Sequence, residues 1–184
     1  NKLGRENTAL GALALQKNDR GFGNTALGKS ALNANVGGST NTAIGVEAML
    51  VSDAGENTAV GYRALASNVM GTSNAGIGYG ALSNNVNGRN NSALGAGAGV
   101  ATGNLLYATA IGAGAVATAD NQMRLGNASI KEVIPGNDCM ADLGNISFRW
   151  NKIWACNPLM ISSDSILKSN ILNIKYGLDD VMRL

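Results

Sequence analysis

Apolar and polar positions along this chain recur at a fixed spacing. The pentapeptide Asn-Thr-Ala-Leu-Gly begins at Asn7 and again at Asn24. Variants of it begin at Asn41, Asn57, Asn74, Asn91 and Ala108, at steps of 17, 17, 16, 17, 17 and 17 residues. A shorter echo closes the series around Leu125 and Gly126. The eighth position of every unit is alanine: Ala14, Ala31, Ala48, Ala64, Ala81, Ala98 and Ala115. The ninth is mostly large and apolar: Leu15, Leu32, Met49, Leu65, Leu82 and Val116. Glycine recurs at the fifteenth (Gly21, Gly38, Gly55, Gly71, Gly88), with Asn or Ser three residues before it.

Two or more glycines per unit would cost a helix roughly 2 kcal/mol per repeat relative to alanine. Asn and Gly at fixed offsets instead predict turns with left-handed backbone angles. Between the turns there is room for two short strands, around Thr-Ala-Leu and Ala-Leu. The predicted fold is therefore all-β, a β-solenoid of seven coils of about 17 residues. Coils stacked at strand spacing, about 4.8 Å, would span roughly 34 Å.

Alternation in the first strand sends Thr8 and Leu10 to one face, Ala9 and Gly11 to the other. One face thus carries a large apolar residue per coil and the other only small ones. The expectation is that the large residues fill the coil interior and the small face lets neighbouring chains approach. A homotrimer of three thin coils fits this; a lone solenoid is the alternative.

Composition favours the shared core. The 184 residues include 25 Gly and 2 Pro, and aromatics make up 4%. Apolar residues are 45%, but many are alanine, which adds little volume to a core. Charged residues are 14% with a net of +2, so no nucleic-acid or anionic-membrane partner is expected. No apolar run reaches the 18 residues a membrane span needs, and residues 1–10 do not read as a signal peptide. The chain opens inside a unit, which points to a longer protein. With no histidine, Ser-His-Asp and Cys-His chemistry are excluded. Cys139 and Cys156 fit no metal-ligand spacing and read as free thiols of a reducing compartment. No metal or cofactor is expected.

Several local patterns carry less than they suggest. Gly76–Gly80 and Gly95–Gly99 resemble dinucleotide loops but fall on repeat positions, with no helix predicted after them. A threonine ladder of ice-binding type (Thr8, Thr25, Thr42, Thr58) fails if Thr8 points inward with Leu10. Regularly spaced aspartates for a calcium β-roll are missing. Asn90, Asn127 and Asn145 head glycosylation sequons of the kind expected by chance in an Asn-rich chain.

The units N-(T/S)-A-(L/I)-G-x-x-A resemble the head repeats of trimeric autotransporter adhesins, and equally the repetitive shafts of viral and phage fibres. The likeness covers residues 7 to about 126. It implies a trimeric β-solenoid stalk or head.

After Gly126 the period ends and large residues appear, among them Phe148, Trp150, Ile153 and Trp154. Trp150 and Trp154 share a face in either a helix or a strand; strands are preferred, with Arg149 stacking on a ring. Core packing is the expected use of this cluster and ligand binding the alternative. Residues 142–184, with "SSDSILKSNI" at 162–171, resemble the approach to the self-cleaving C-terminal chaperone of endosialidase-type phage tailspikes, peptidase family S74. Ser163, Asp164, Lys168, Asn170 and Ile171 match its pattern; Ile166 stands where that family has Arg. The resemblance implies that Ser163 is the nucleophile, Lys168 the general base and Ser163–Asp164 the bond cut. A lysine can play that part if burial lowers its pKa. Five residues apart share neither a helical nor a strand face, so the dyad needs a turn or a second chain. The alternative is that Ser163 and Asp164 simply cap a helix.

The organisation read from sequence is thus a repeat region at 1–126, an aromatic β connector at 127–162 and the start of a helical chaperone at 163–184. Only the beginning of such a chaperone is present, so at most a single self-cleavage is expected, and not from this chain alone. The expected role is a trimeric fibre or spike on a virion surface, assembled in the host cytoplasm. It would contact other virion proteins and a host receptor or glycan. A bacterial adhesin head and the non-catalytic part of a glycan-degrading tailspike are the alternatives.

Overall fold

The computed structural model describes residues 3–130 and Ser147. The repeat lies within one compact unit, Asn1–Val133. The described residues contain no helix, and each coil contributes one three-residue strand to a long parallel sheet. These are β1 (Thr8–Leu10), β2 (Thr25–Leu27), β3 (Thr42–Ile44), β4 (Thr58–Val60), β5 (Ala75–Ile77), β6 (Ser92–Leu94), β8 (Thr109–Ile111) and β10 (Met123–Leu125). They pair in that order, like position on like position, so Thr8 faces Thr25 and Leu10 faces Leu27. The fold is a β-solenoid of about seven turns.

The second strand predicted per coil forms only late in the repeat. There β7 (Gly99–Val100) pairs with β9 (Val116–Ala117). In the first five coils the Ala-Leu step is a turn, and Leu15, Leu32, Met49, Leu65 and Leu82 sit at φ between 49° and 52°. A non-glycine residue pays for a left-handed angle with roughly 1–3 kcal/mol. Burial and a coil-to-coil hydrogen bond offset it. Leu32, Met49 and Leu65 are fully buried, and the Leu65 N–H donates to the Ala81 carbonyl at 2.9 Å.

The strand faces are opposite to the expectation from alternation. Ala26, Ala43, Ala59, Ala93 and Ala110, the middle residues of their strands, are buried inside the coils. Leu10, Leu27, Ile77, Leu94 and Ile111 are exposed on the outer face. The reason is volume. A coil this short already encloses the eighth-position alanine, the ninth-position leucine and two asparagines. A second large side chain does not fit, so the strand turns its small residue inward.

The fifth-position glycines, from Gly11 to Gly95, hold positive φ as turns require, but the recurring Asn and the fifteenth-position Gly have a different cause from the one the sequence suggested. None of the first-position or twelfth-position asparagines has a positive φ. They form two buried ladders up the interior. Along the first, the Asn57 N–H donates to Asn41 Oδ1 at 3.0 Å, and Asn57 Oδ1 accepts the Asn74 N–H at 3.0 Å. Along the second, Asn35 Nδ2 donates to Asn18 Oδ1 at 2.7 Å and Asn85 Nδ2 to Asn68 Oδ1 at 2.8 Å. The ladders meet at one carbonyl per coil: Gly71 O accepts from Asn57 Nδ2 at 2.9 Å and Asn68 Nδ2 at 2.8 Å. Glycine is needed there for closeness, because a Cβ on Gly71 would run into Asn68 Oδ1 and the Gly88 carbonyl. Buried carbonyls and amides thus find partners without water.

The 16-residue coil disturbs one ladder. Sequence alignment sets Gly55 beside Gly38 and Gly71, but Ala54 supplies the carbonyl that Asn41 Nδ2 donates to, at 2.8 Å. Ser52 replaces asparagine in the second ladder and accepts from Asn68 Nδ2 at 3.3 Å. Its hydroxyl does not reach back to Asn35 Oδ1, which is buried without a hydrogen bond.

Candidate functional site

Among the described residues, no group of three His, Cys, Asp or Glu is placed to hold a metal. Ser163, Asp164 and Lys168 lie outside the described residues, as do Cys139, Cys156, Asn145, Arg149, Trp150 and Trp154. Two of the described acids hold turns together. Asp53 Oδ1 accepts the N–H groups of Val36 at 2.8 Å and Gly37 at 2.6 Å, and Asp120 Oδ1 accepts that of Leu106 at 2.9 Å.

What the coils present outward is more informative. The fourth position forms a column of Leu10, Leu27, Ile44, Val60, Ile77, Leu94, Ile111 and Leu125 up the long sheet. Leu10, Leu94 and Leu125 are 67%, 52% and 50% exposed. Beside it runs the second-position column of Thr8, Thr25, Thr42, Thr58, Ala75, Ser92 and Thr109. Near its upper end the two columns enclose an apolar groove of about 170 Å³ between Ile77, Leu94, Ile111 and their threonine and serine neighbours. The threonines therefore face outward, contrary to the expectation that they point inward with the leucines. An ice-binding ladder is instead disfavoured by Ala75, which interrupts the hydroxyls.

One corner position away lies an aromatic pair. Tyr62 and Tyr79 occupy the sixth position of adjacent coils, and their rings stack with centroids 5.2 Å apart and planes 16° from parallel. The strand register that aligns Val60 with Ile77 also aligns these two residues. A groove of about 300 Å³ runs alongside, lined by Tyr62, Arg63, Ser67, Tyr79, Ser83 and Asn84. Arg63 is anchored by Glu47, Nε to Oε2 at 3.4 Å. The only signal for this pair in the sequence is two tyrosines 17 residues apart in a chain whose aromatics make up 4%.

No protein family, curated protein or solved structure matches this chain. Function must therefore be argued from its surfaces. Gly76–Gly80 and Gly95–Gly99 can be set aside as phosphate loops. The first runs from β5 into a turn and the second from the turn after β6 into β7, with no helix N-terminus to hold an anion. The sequons differ in availability: Asn90 is exposed, whereas Asn127 is exposed but bonded to the Ala113 carbonyl and the Ser129 N–H.

Proposed function

We propose that this chain is a segment of a homotrimeric fibre or spike displayed on a viral particle for host attachment. The observation that carries this reading is the outward column from Leu10 to Leu125. A continuous apolar stripe along a whole sheet is what a soluble single chain avoids and an interface uses. Three copies set around one axis would bury it. This differs from the packing expected from sequence, because the large residues would meet between chains and the small ones would fill each coil.

The test is assembly. The purified chain is expected to sediment at three times its 18.7 kDa mass. Ile77→Lys and Leu94→Lys together put two like charges per chain into the interface. That pair is expected to give monomers or aggregate, while Val86→Lys, off the sheet, leaves the trimer. A monomeric wild-type chain would overturn the reading.

Maturation by self-cleavage belongs to the same proposal and rests on the sequence pattern at Ser163, Asp164 and Lys168. Near-identical coils can pair one unit out of register at little local cost. A C-terminal chaperone that trimerises first would set the register, and its removal would leave a kinetically stable product. In the full-length protein, Ser163→Ala is expected to yield a single larger species on a denaturing gel. Wild type is expected to end at Ser163 by mass spectrometry. Identical migration of the two proteins would refute the cut.

A further inference from the structure

We infer that the groove beside Tyr62 and Tyr79 is a saccharide-binding site, taking a neutral pyranose ring against the tyrosine pair. Four observations lead there. First, the variable sixth position carries an aromatic ring only at these two coils, the others having Ala12, Lys29, Val46, Ala96 and Ala113. Second, the pair does little for the fold, since Tyr62 is 42% and Tyr79 66% exposed. Two large rings held rigid at the surface offer amphipathic contact area with little further entropy to lose.

Third, the space around the pair is kept open by small residues. The next coil sets Ala96 and Gly97 beside Tyr79, and a Cβ on Gly97 would meet nothing within 4 Å. Gly80, in the groove lining, is similarly uncrowded, its Cβ site being 3.9 Å from Ser83 Oγ. Fourth, the rest of the lining is polar and short: Ser67, Ser83, Asn84 and the Arg63 guanidinium. Hydroxyls, an amide and a guanidinium offer donors and acceptors that match a sugar's ring of hydroxyls, while the tyrosines take its apolar C–H face. Glu47 balances the charge of Arg63, which favours a neutral sugar over an acidic one. At about 300 Å³ the groove sits at the lower end of the range for small-molecule sites, suited to one or two sugar residues.

The inference deepens the attachment reading by naming a receptor class and the groove that takes it. The two can fail separately, because binding is measured on the purified chain and assembly by sedimentation. Saturation-transfer NMR would be run with methyl α-mannopyranoside, methyl β-galactopyranoside and methyl N-acetyl-β-glucosaminide. At least one is expected to receive saturation on its ring C–H protons. Loss of the aromatic platform in Tyr79→Ala is expected to weaken that glycoside roughly tenfold. Asn84→Ala is expected to weaken it less, and Lys29→Ala, in the same column but outside the groove, to leave it unchanged. Circular dichroism shows whether each variant keeps the fold, and Ser67→Trp, which puts a ring into the groove from its exposed lining, gives a second way to block the site. No transfer to any of the three glycosides, or equal transfer in wild type and in both Tyr79→Ala and Ser67→Trp, would overturn the assignment.

Discussion

Gly61→Val is expected to abolish the cooperative fold. Gly61 follows β4 at φ 136°, a region open essentially to glycine alone. A Cβ there would stand 2.6 Å from the carbonyl carbon of Gly78 in the next coil, and closer still to its oxygen. Neither group can yield, because the Gly78 N–H is itself held by the Val60 carbonyl at 2.8 Å. Gly28 and Gly45 are placed the same way, each with the next glycine's carbonyl oxygen 2.5 Å from the Cβ site. The combined angle and clash amount to about 4 kcal/mol or more, among the largest effects of a single substitution. Urea titration followed by circular dichroism checks this. A Gly61→Val chain with a wild-type midpoint would mean that the coils are not stacked as described.

The second large effect is expected at Asn57→Leu, a change that keeps size and removes every polar contact of the side chain. Asn57 Nδ2 donates to Asn41 Oδ1, Gly55 O and Gly71 O, and its Oδ1 accepts from the Asn74 N–H and Nδ2. In the variant the Asn74 N–H loses its acceptor inside a dry interior, as Asn74 is only 1% exposed. A buried group left unpaired costs about 1–3 kcal/mol, so the loss of several predicts destabilisation of roughly 3–5 kcal/mol. The comparison that isolates the cause is Leu65→Ala. It opens a cavity one residue in width and is also expected to cost about 2–5 kcal/mol, but strands no polar group. If Asn57→Leu proved as stable as wild type, the ladder would be decoration rather than support. In an array of coils that touch only their neighbours, either lesion should also separate the unfolding of the coils below it from those above.

The sequence by itself determined the period, the number of coils and the β-solenoid class. Those follow from spacing alone: like residues 17 apart can all be alike in environment only if the chain returns to the same place once per unit. It also located many of the interior positions, since the asparagines and the Ala-Leu pair are residues the coil interior is made of.

Tertiary structure decided what each position is for. Which strand face points inward depends on how much volume a closed coil can hold, a property of the whole loop that alternation in three residues cannot report. Ala59 went in and Val60 out for that reason, and with them the expected mode of association reversed. Whether a fixed glycine supplies a backbone angle, as at Gly61, or a close approach, as at Gly71, depends on the coil stacked above it. The reach of Asn57 across to a neighbouring rung and to Gly71, 14 residues away, exists only once the coils are stacked. The tyrosine pair belongs to the same class: Tyr62 and Tyr79 become one surface because parallel register, and nothing local to either residue, sets one ring on the other.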